Sequence, residues 1–268
     1  MPASRSPNRG ANAEPRSRSY WPLVAIGLAA VIAVSVAALP ASMLTHFLPA
    51  RVSAQDFSGS VWHGSAGKIL VDAKDAGAIE WRLHPLALLG LTVAADLHWV
   101  KVGIVVDGSV SVDRRGFTAH EVTGSGPIDD LRDFGLAPGW HGSAALHLSE
   151  LKGDLAKLSA AVGEVTVADI ASAQVADGAD LGSYELTLAP GAVDTEGNVA
   201  AQLVDTGGPL EVQALIRYTA KERTGTLSGT LRERQSAPAA LRNQLDSLSQ
   251  LRGRDAQGRI PADLEFRF

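Results

Sequence analysis

From residue 19 to residue 50 the chain carries no Asp, Glu, Lys or Arg, and this stretch divides everything that follows. Its densest part, residues 21–39, is 19 residues broken only by Pro22, Gly27 and Ser35. About 20 apolar residues cross a bilayer as a helix, so the spacing predicts a single transmembrane anchor over residues 21–40. Tyr20 and Trp21 stand where an interfacial aromatic belt would place them, and Pro40 marks the far end. A buried globular helix would need a polar face, and this segment has none. A cleavable signal peptide is the competing assignment. Ala37-Ala38-Leu39-Pro40-Ala41 offers small residues, but Pro40 and the length of the apolar run argue against cleavage. The tail over residues 1–20 holds Arg5, Arg9, Arg16 and Arg18 against Glu14, which predicts a cytoplasmic N-terminus and puts residues 41–268 outside.

Within residues 41–268 one five-residue word occurs twice. Trp62-His63-Gly64-Ser65-Ala66 returns, letter for letter, as Trp140-His141-Gly142-Ser143-Ala144. Each copy is followed by a run that reads as the opening of a strand. A match of this length that includes tryptophan points to two related β units, about 52–125 and 126–268. Glycine lets a ring or backbone approach closely, so the expectation is that each Trp-Gly pair staples a strand corner into the core.

The rest of the pattern favours strands. There are 27 glycines, and Ala, Val, Leu, Ser and Thr outweigh Lys and Glu. Residues 79–83 alternate apolar and polar; Pro85 then opens a helical turn over 85–90; Leu91, Val93, Ala95, Leu97 and Trp99 resume the alternation. Residues 104–112 fit another strand or a hairpin around Asp107-Gly108, a two-residue turn signal, and Asp177-Gly178, Pro190-Gly191, Glu196-Gly197-Asn198 and Gly207-Gly208-Pro209 predict further turns. A short helix is expected over 128–134 after Pro127, with Asp129 and Asp130 in its first turn. Residues 156–162 fit a helical turn or a wide loop equally. A last helix carries Leu241, Leu245, Leu248 and Leu251 on one stripe, with Ser236 as its cap and Pro238 in its first turn. The fold class is therefore mainly β: one N-terminal helix in the membrane, then a long twisted antiparallel sheet with short helices.

Chemistry is not encouraged by these residues. With no cysteine, neither a disulfide nor a thiolate metal site is available. The seven histidines form no HExxH and no His-x-His pair, so no metal ligands are assigned. Ser65 and Ser143 each follow a glycine, but Gly-Ser-Ala is not a nucleophile elbow. No catalytic and no cofactor-binding residues are assigned, and an enzyme is not expected. The chain carries −5 overall and +3 over residues 1–50, so residues 51–268 carry −8. An acidic body argues against nucleic acid as the main partner. No small-molecule substrate is indicated either.

The order of landmarks resembles the protein N family of the type II secretion system. The resemblance rests on a basic tail and an anchor closing on Leu39-Pro40-Ala41, then Gly59 to Ala66 with Trp62 and Gly64 in the family's Gly-x-x-Trp-x-Gly-x-Ala. Trp81-Arg82-Leu83-His84-Pro85 with Leu88-Leu89 is similar to its Trp-x-Leu-x-Pro-x-x-Leu-Leu, and Gly208-Pro209-Leu210 to its Gly-Pro-Leu. A helix from Leu241 and a Gly258-Arg259 turn complete the series. The structural motif residues are thus Trp62, Gly64, Trp81, Pro85, Trp140, Gly142, Gly208 and Pro209. The resemblance implies an inner-membrane accessory protein with a periplasmic β domain, and partners among the inner-membrane protein C and the secretin, protein D. It carries no catalytic residues. A reading from another class is an AsmA-like lipid carrier, whose long sheet holds acyl chains in an apolar trough.

Overall fold

The computed structural model describes residue 35 and residues 38–134, 138–154 and 156–267. The expected tail over 1–20, and all of the expected anchor except residues 35 and 38–40, lie outside the described residues. Among the described residues no helix is long and apolar enough to cross a membrane.

Residues 40–268 build one antiparallel sheet of thirteen strands in strict sequence order. The strands are β1 (Val52–Gly59), β2 (His63–Val71), β3 (Lys74–Leu83), β4 (Val93–Lys101), β5 (Ile104–Asp113), β6 (Gly116–Pro127) and β7 (Trp140–Gly153). Then follow β8 (Leu158–Ser172), β9 (Val175–Leu188), β10 (Val199–Gly207), β11 (Leu210–Thr219), β12 (Thr224–Glu233) and β13 (Ile260–Arg267). Three 3-10 helices, Ala41–Phe47, Pro85–Gly90 and Ile128–Phe134, interrupt the meander, and one α-helix, α1 (Ala239–Arg252), precedes β13. The mainly β reading holds.

The register divides the sheet into two chemically distinct faces, because residues directly opposite in a ladder share a face. One row runs through every strand: Phe57, Ala66, Ile79, Trp99, Val106, Gly124, Leu146, Val165, Leu186, Leu203, Ala214, Gly229 and Ala262. None of the thirteen is polar and none is exposed. The neighbouring row, on the other face, is Ser58, Ser65, Glu80, His98, Asp107, Thr123, His147, Glu164, Thr187, Gln202, Leu215, Ser228 and Asp263. Only Leu215 is apolar there. This is the period-2 alternation of the sequence made continuous across the ladder.

The apolar face is gathered into two clusters. Near the start, Ala41 of the first 3-10 helix packs with Ala66 and Trp81, and Phe57, Ile79 and Leu97 lie against them. Toward the end, Ala237 and α1, through Leu241 and Leu245, meet Leu181 of β9 and Ile260 of β13, with Trp140, Ile170, Leu210 and Leu231 around them. A single helix touching β9 and β13, four strands apart, requires that part of the sheet to curl around it.

Several local expectations are corrected. Of the two readings of residues 104–112 the strand holds and the hairpin does not: Asp107-Gly108 is the middle of β5. The register shifts between Asp107 and Ser109, and Glu121 of β6 absorbs the extra residue at φ +48°. The turns on either side of β5 are Val102-Gly103 and Arg114-Arg115. Asp177-Gly178 likewise lies inside β9, at a second irregular stretch of ladder. The undecided stretch 156–162 is a short turn leading into β8: Asp154 accepts from the backbone N–H groups of Ala156 and Lys157, and the strand begins at Leu158. Leu91 ends a helix in the left-handed region (φ +56°) rather than starting β4. Ser236 makes no cap; Pro238 takes the N-cap position of α1 without a side-chain bond. Of the leucine stripe, Leu241 and Leu245 are buried while Leu251 is 85% exposed.

Candidate functional site

The residues of the first repeated word sit at one end of the sheet, beside the β1–β2 turn. A Cβ on Gly64 would lie 2.7 Å from the carbonyls of Ser58 and Ser60 and 2.8 Å from Cζ2 of Trp81. Trp81, from β3, is the buried indole here; it donates its Nε1–H to the Val61 carbonyl at 2.9 Å and meets Phe57 edge to face at 6.4 Å. Trp81 thus makes the close indole contact with Gly64, while Trp62 is half-buried in the turn. Pro85 opens the 3-10 helix beyond β3 at its first position, and no residue of that helix is buried.

The second copy sits differently, at the opposite end of the strands. Trp140 packs against the α1 cluster. Gly142, at φ +136°, has the Ala168 carbonyl 2.7 Å from where its Cβ would be and Cδ1 of Ile128 at 3.1 Å. Gly208, at φ +114°, approaches Gly182 so closely that its Cβ would stand 2.3 Å from the Gly182 Cα. Pro209, beside it, is buried, and its carbonyl accepts from the Arg234 backbone. The Arg234 side chain spans that turn, donating to the Gly208 carbonyl at 3.1 Å and to the Asp205 carboxylate at 2.5 Å. No sequence signal marked Arg234 or Asp205, because their meeting depends on the β10–β12 register. The structure does not bring these motif residues into one place: Trp62, Gly64, Trp81 and Pro85 share one end, and Trp140, Gly142, Gly208 and Pro209 lie toward the other.

The polar face pairs histidines with carboxylates. His84 and Asp96 lie 3.0 Å apart, His98 and Asp107 2.6 Å, and His141 and Asp129 3.0 Å. Ser109 donates to Asp96 at 2.8 Å, and its hydrogen bond, followed by that of His84, holds the Asp96 carboxyl below the usual carboxylate range. Ser109, Asp96 and His84 are not a nucleophilic triad, since the serine faces the carboxylate rather than the imidazole that would take its proton. Asp129 is lowered too, first by its bond from His141 and then by Arg132. Among the described residues no group of three or more His, Asp or Glu is arranged to hold a metal ion. Tyr184, hydrogen-bonded to the Leu181 carbonyl, is pushed up to about 12, mainly by burial and then by Asp205 and Asp180.

On the apolar face a cavity of about 310 Å³ opens between β4 and β8, walled by Trp99, Ile104, Val106, Leu131, Leu146 and Val165. The floor is low there because Gly124 and Gly126 carry no side chain.

The two ends of the strand order differ in cover. β1 is flanked by the first 3-10 helix, and Pro40 forms an antiparallel bridge to Ser60 just beyond it. β13 is last in the order; Arg252 of α1 donates to its Asp263 carbonyl at 3.1 Å, and Leu264 is 59% exposed.

The family model for type II secretion system protein N matches residues 50–262. That covers most of the chain, and the chain belongs to this family. Neither the curated proteins nor the solved structures contain a match.

Proposed function

We propose that this member of the protein N family is a non-enzymatic accessory component of the type II secretion system, held in the bacterial inner membrane by one helix over residues 21–40. Its N-terminus lies in the cytoplasm and residues 41–268 lie in the periplasm. There the sheet docks other secretion components, with the inner-membrane protein C and the secretin, protein D, as partners, during export of folded proteins across the outer membrane. Neither a cofactor nor nucleic acid takes part.

The observation that supports docking is the open order of the sheet. Among the described residues the thirteen strands end on β13 without pairing onto β1, and a terminal strand offers an added strand the backbone groups it has left, here all but the Asp263 carbonyl that Arg252 takes. The exposed Leu264 gives that edge an apolar contact for a partner side chain. The acidic body adds charge complementarity to a basic partner.

A second reading, an AsmA-like lipid-binding protein, is favoured by one observation, the apolar cavity between β4 and β8. One experiment separates the two. The full-length protein is purified from membranes in mild detergent, and co-purifying protein and lipid are both identified by mass spectrometry. Secretin or inner-membrane secretion components without stoichiometric phospholipid support the docking role. Stoichiometric phospholipid with no secretion component overturns it in favour of lipid binding.

A further inference from the structure

The loop that joins β3 to β4 is the most exposed apolar feature of the described residues. Leu86 is 79% exposed, Leu89 85% and Leu91 68%, within six residues. In a 3-10 helix residues three apart lie above one another, so Leu86 and Leu89 project on the same side. Scattered exposed leucines need no explanation, but a contiguous apolar projection does.

The backbone of this loop is closed on itself. The Ala87 N–H donates to the His84 carbonyl at 3.1 Å, Leu91 to Leu88 at 3.0 Å and Thr92 to Ala87 at 3.2 Å, while His84 donates across to Ala94 at 2.8 Å. A segment whose peptide groups are paired internally loses little on entering a medium without water.

Its position in the sheet says what that medium is. The Leu83 N–H, just before the loop, donates to the Trp62 carbonyl at 2.7 Å in the β1–β2 turn, and Ser60 of that turn bridges Pro40. Pro40 is the last residue of the expected anchor, yet it is already part of the sheet domain, and Ala41 after it is 1% exposed. One further turn along the same end, beyond the Val93–Val112 pair, Arg114 and Arg115 are both exposed, beside Asp113, whose carboxylate is taken up by the Arg115 and Gly116 N–H groups. Exposed leucines and exposed arginines at one end of the sheet are the two kinds of side chain a bilayer surface takes up, apolar ones in the acyl boundary and cations at the phosphates.

We propose that residues 85–91 dip into the outer face of the bilayer that holds the anchor, giving the domain a second membrane contact that sets the sheet's strands upright on the membrane. This rests on the anchor assignment above, and it commits the loop to lipid rather than to a protein pocket.

The test uses the absence of native cysteine. Full-length Ala30→Cys, Leu89→Cys and Gln257→Cys proteins each carry one environment-sensitive fluorophore in vesicles of phosphatidylethanolamine and phosphatidylglycerol doped with acyl-chain nitroxide lipid. The expected result is a loss of fluorescence at Leu89→Cys comparable with that at Ala30→Cys, and none at Gln257→Cys, which lies at the opposite end. Leu86→Cys repeats the reading should the first variant fold poorly. Quenching at Ala30→Cys with a bright Leu89→Cys label overturns the loop contact and leaves the anchor standing. An unquenched Ala30→Cys label removes the anchor and this contact with it. A Leu89→Cys label shielded from aqueous iodide but untouched by the nitroxide lipid means a protein occupant, and also overturns the proposal.

Discussion

The indole of Trp81 lies over the backbone of Gly64, so close that a Cβ there would stand 2.8 Å from its Cζ2. The same ring reaches past the glycine to bond the Val61 carbonyl, so one side chain from β3 fixes both the opening of β2 and the turn before it.

The three tryptophans at these words should consequently differ. Trp81→Ala removes a buried ring and a satisfied bond and is expected to cost about 3–5 kcal/mol, as large core truncations do. Trp140→Ala and Trp62→Ala, both half-buried, should each cost less. Urea unfolding followed by far-UV circular dichroism ranks them; equal losses for Trp62→Ala and Trp81→Ala would contradict the assignment.

Gly208→Ala should be among the most damaging small substitutions. It places a methyl group 2.3 Å from the Gly182 Cα and forces alanine to φ +114°, so the loss should exceed the ~1–3 kcal/mol of backbone strain alone. Gly90→Ala, with open space around it and no such φ, should change stability by less than about 1 kcal/mol. The same unfolding measurement on the pair decides the matter.

The pH dependence has a definite sign. Asp129 has a folded pKa below its unfolded value of about 3.9, so its contribution is complete above that value and fades as pH falls through it. The stability gap between the wild type and Asp129→Asn should stay constant from neutral pH down to about 5 and shrink below about 4. Asp96→Asn, which keeps an accepting oxygen but removes the charge facing Ser109 and His84, should behave in the same direction. A gap that widened on acidification would have the wrong sign.

How far the sequence announces this molecule depends on distance along the chain. Alternation at residues 79–83 and 93–99, the helix after Pro85 and the leucines of α1 are local, and they were legible. Asp107-Gly108 left strand and hairpin both open because a β-bulge and a tight turn draw on the same residues, and only the partner strand, with Glu121 at φ +48°, tells them apart. The true turn at Val102-Gly103 hides behind a valine that is 84% exposed. Pairs such as His98–Asp107 and Arg234–Asp205 were invisible, since each is set by the register between strands. The gathering of one apolar row from Phe57 to Ala262 is a property of twelve ladders together, which no single stretch encodes.

The proposed role is that the β13 edge of this sheet receives a partner from the secretion machinery. Its most direct measurement is photo-crosslinking in secreting cells, with a photoreactive residue at Leu264 on β13 and, as a comparison, at Glu164 on the polar face of the central strand β8. The expected result is an adduct at position 264 that mass spectrometry identifies as a type II secretion component, strongly reduced at position 164. Adducts absent at 264, or formed there only with proteins outside the secretion system, would contradict it.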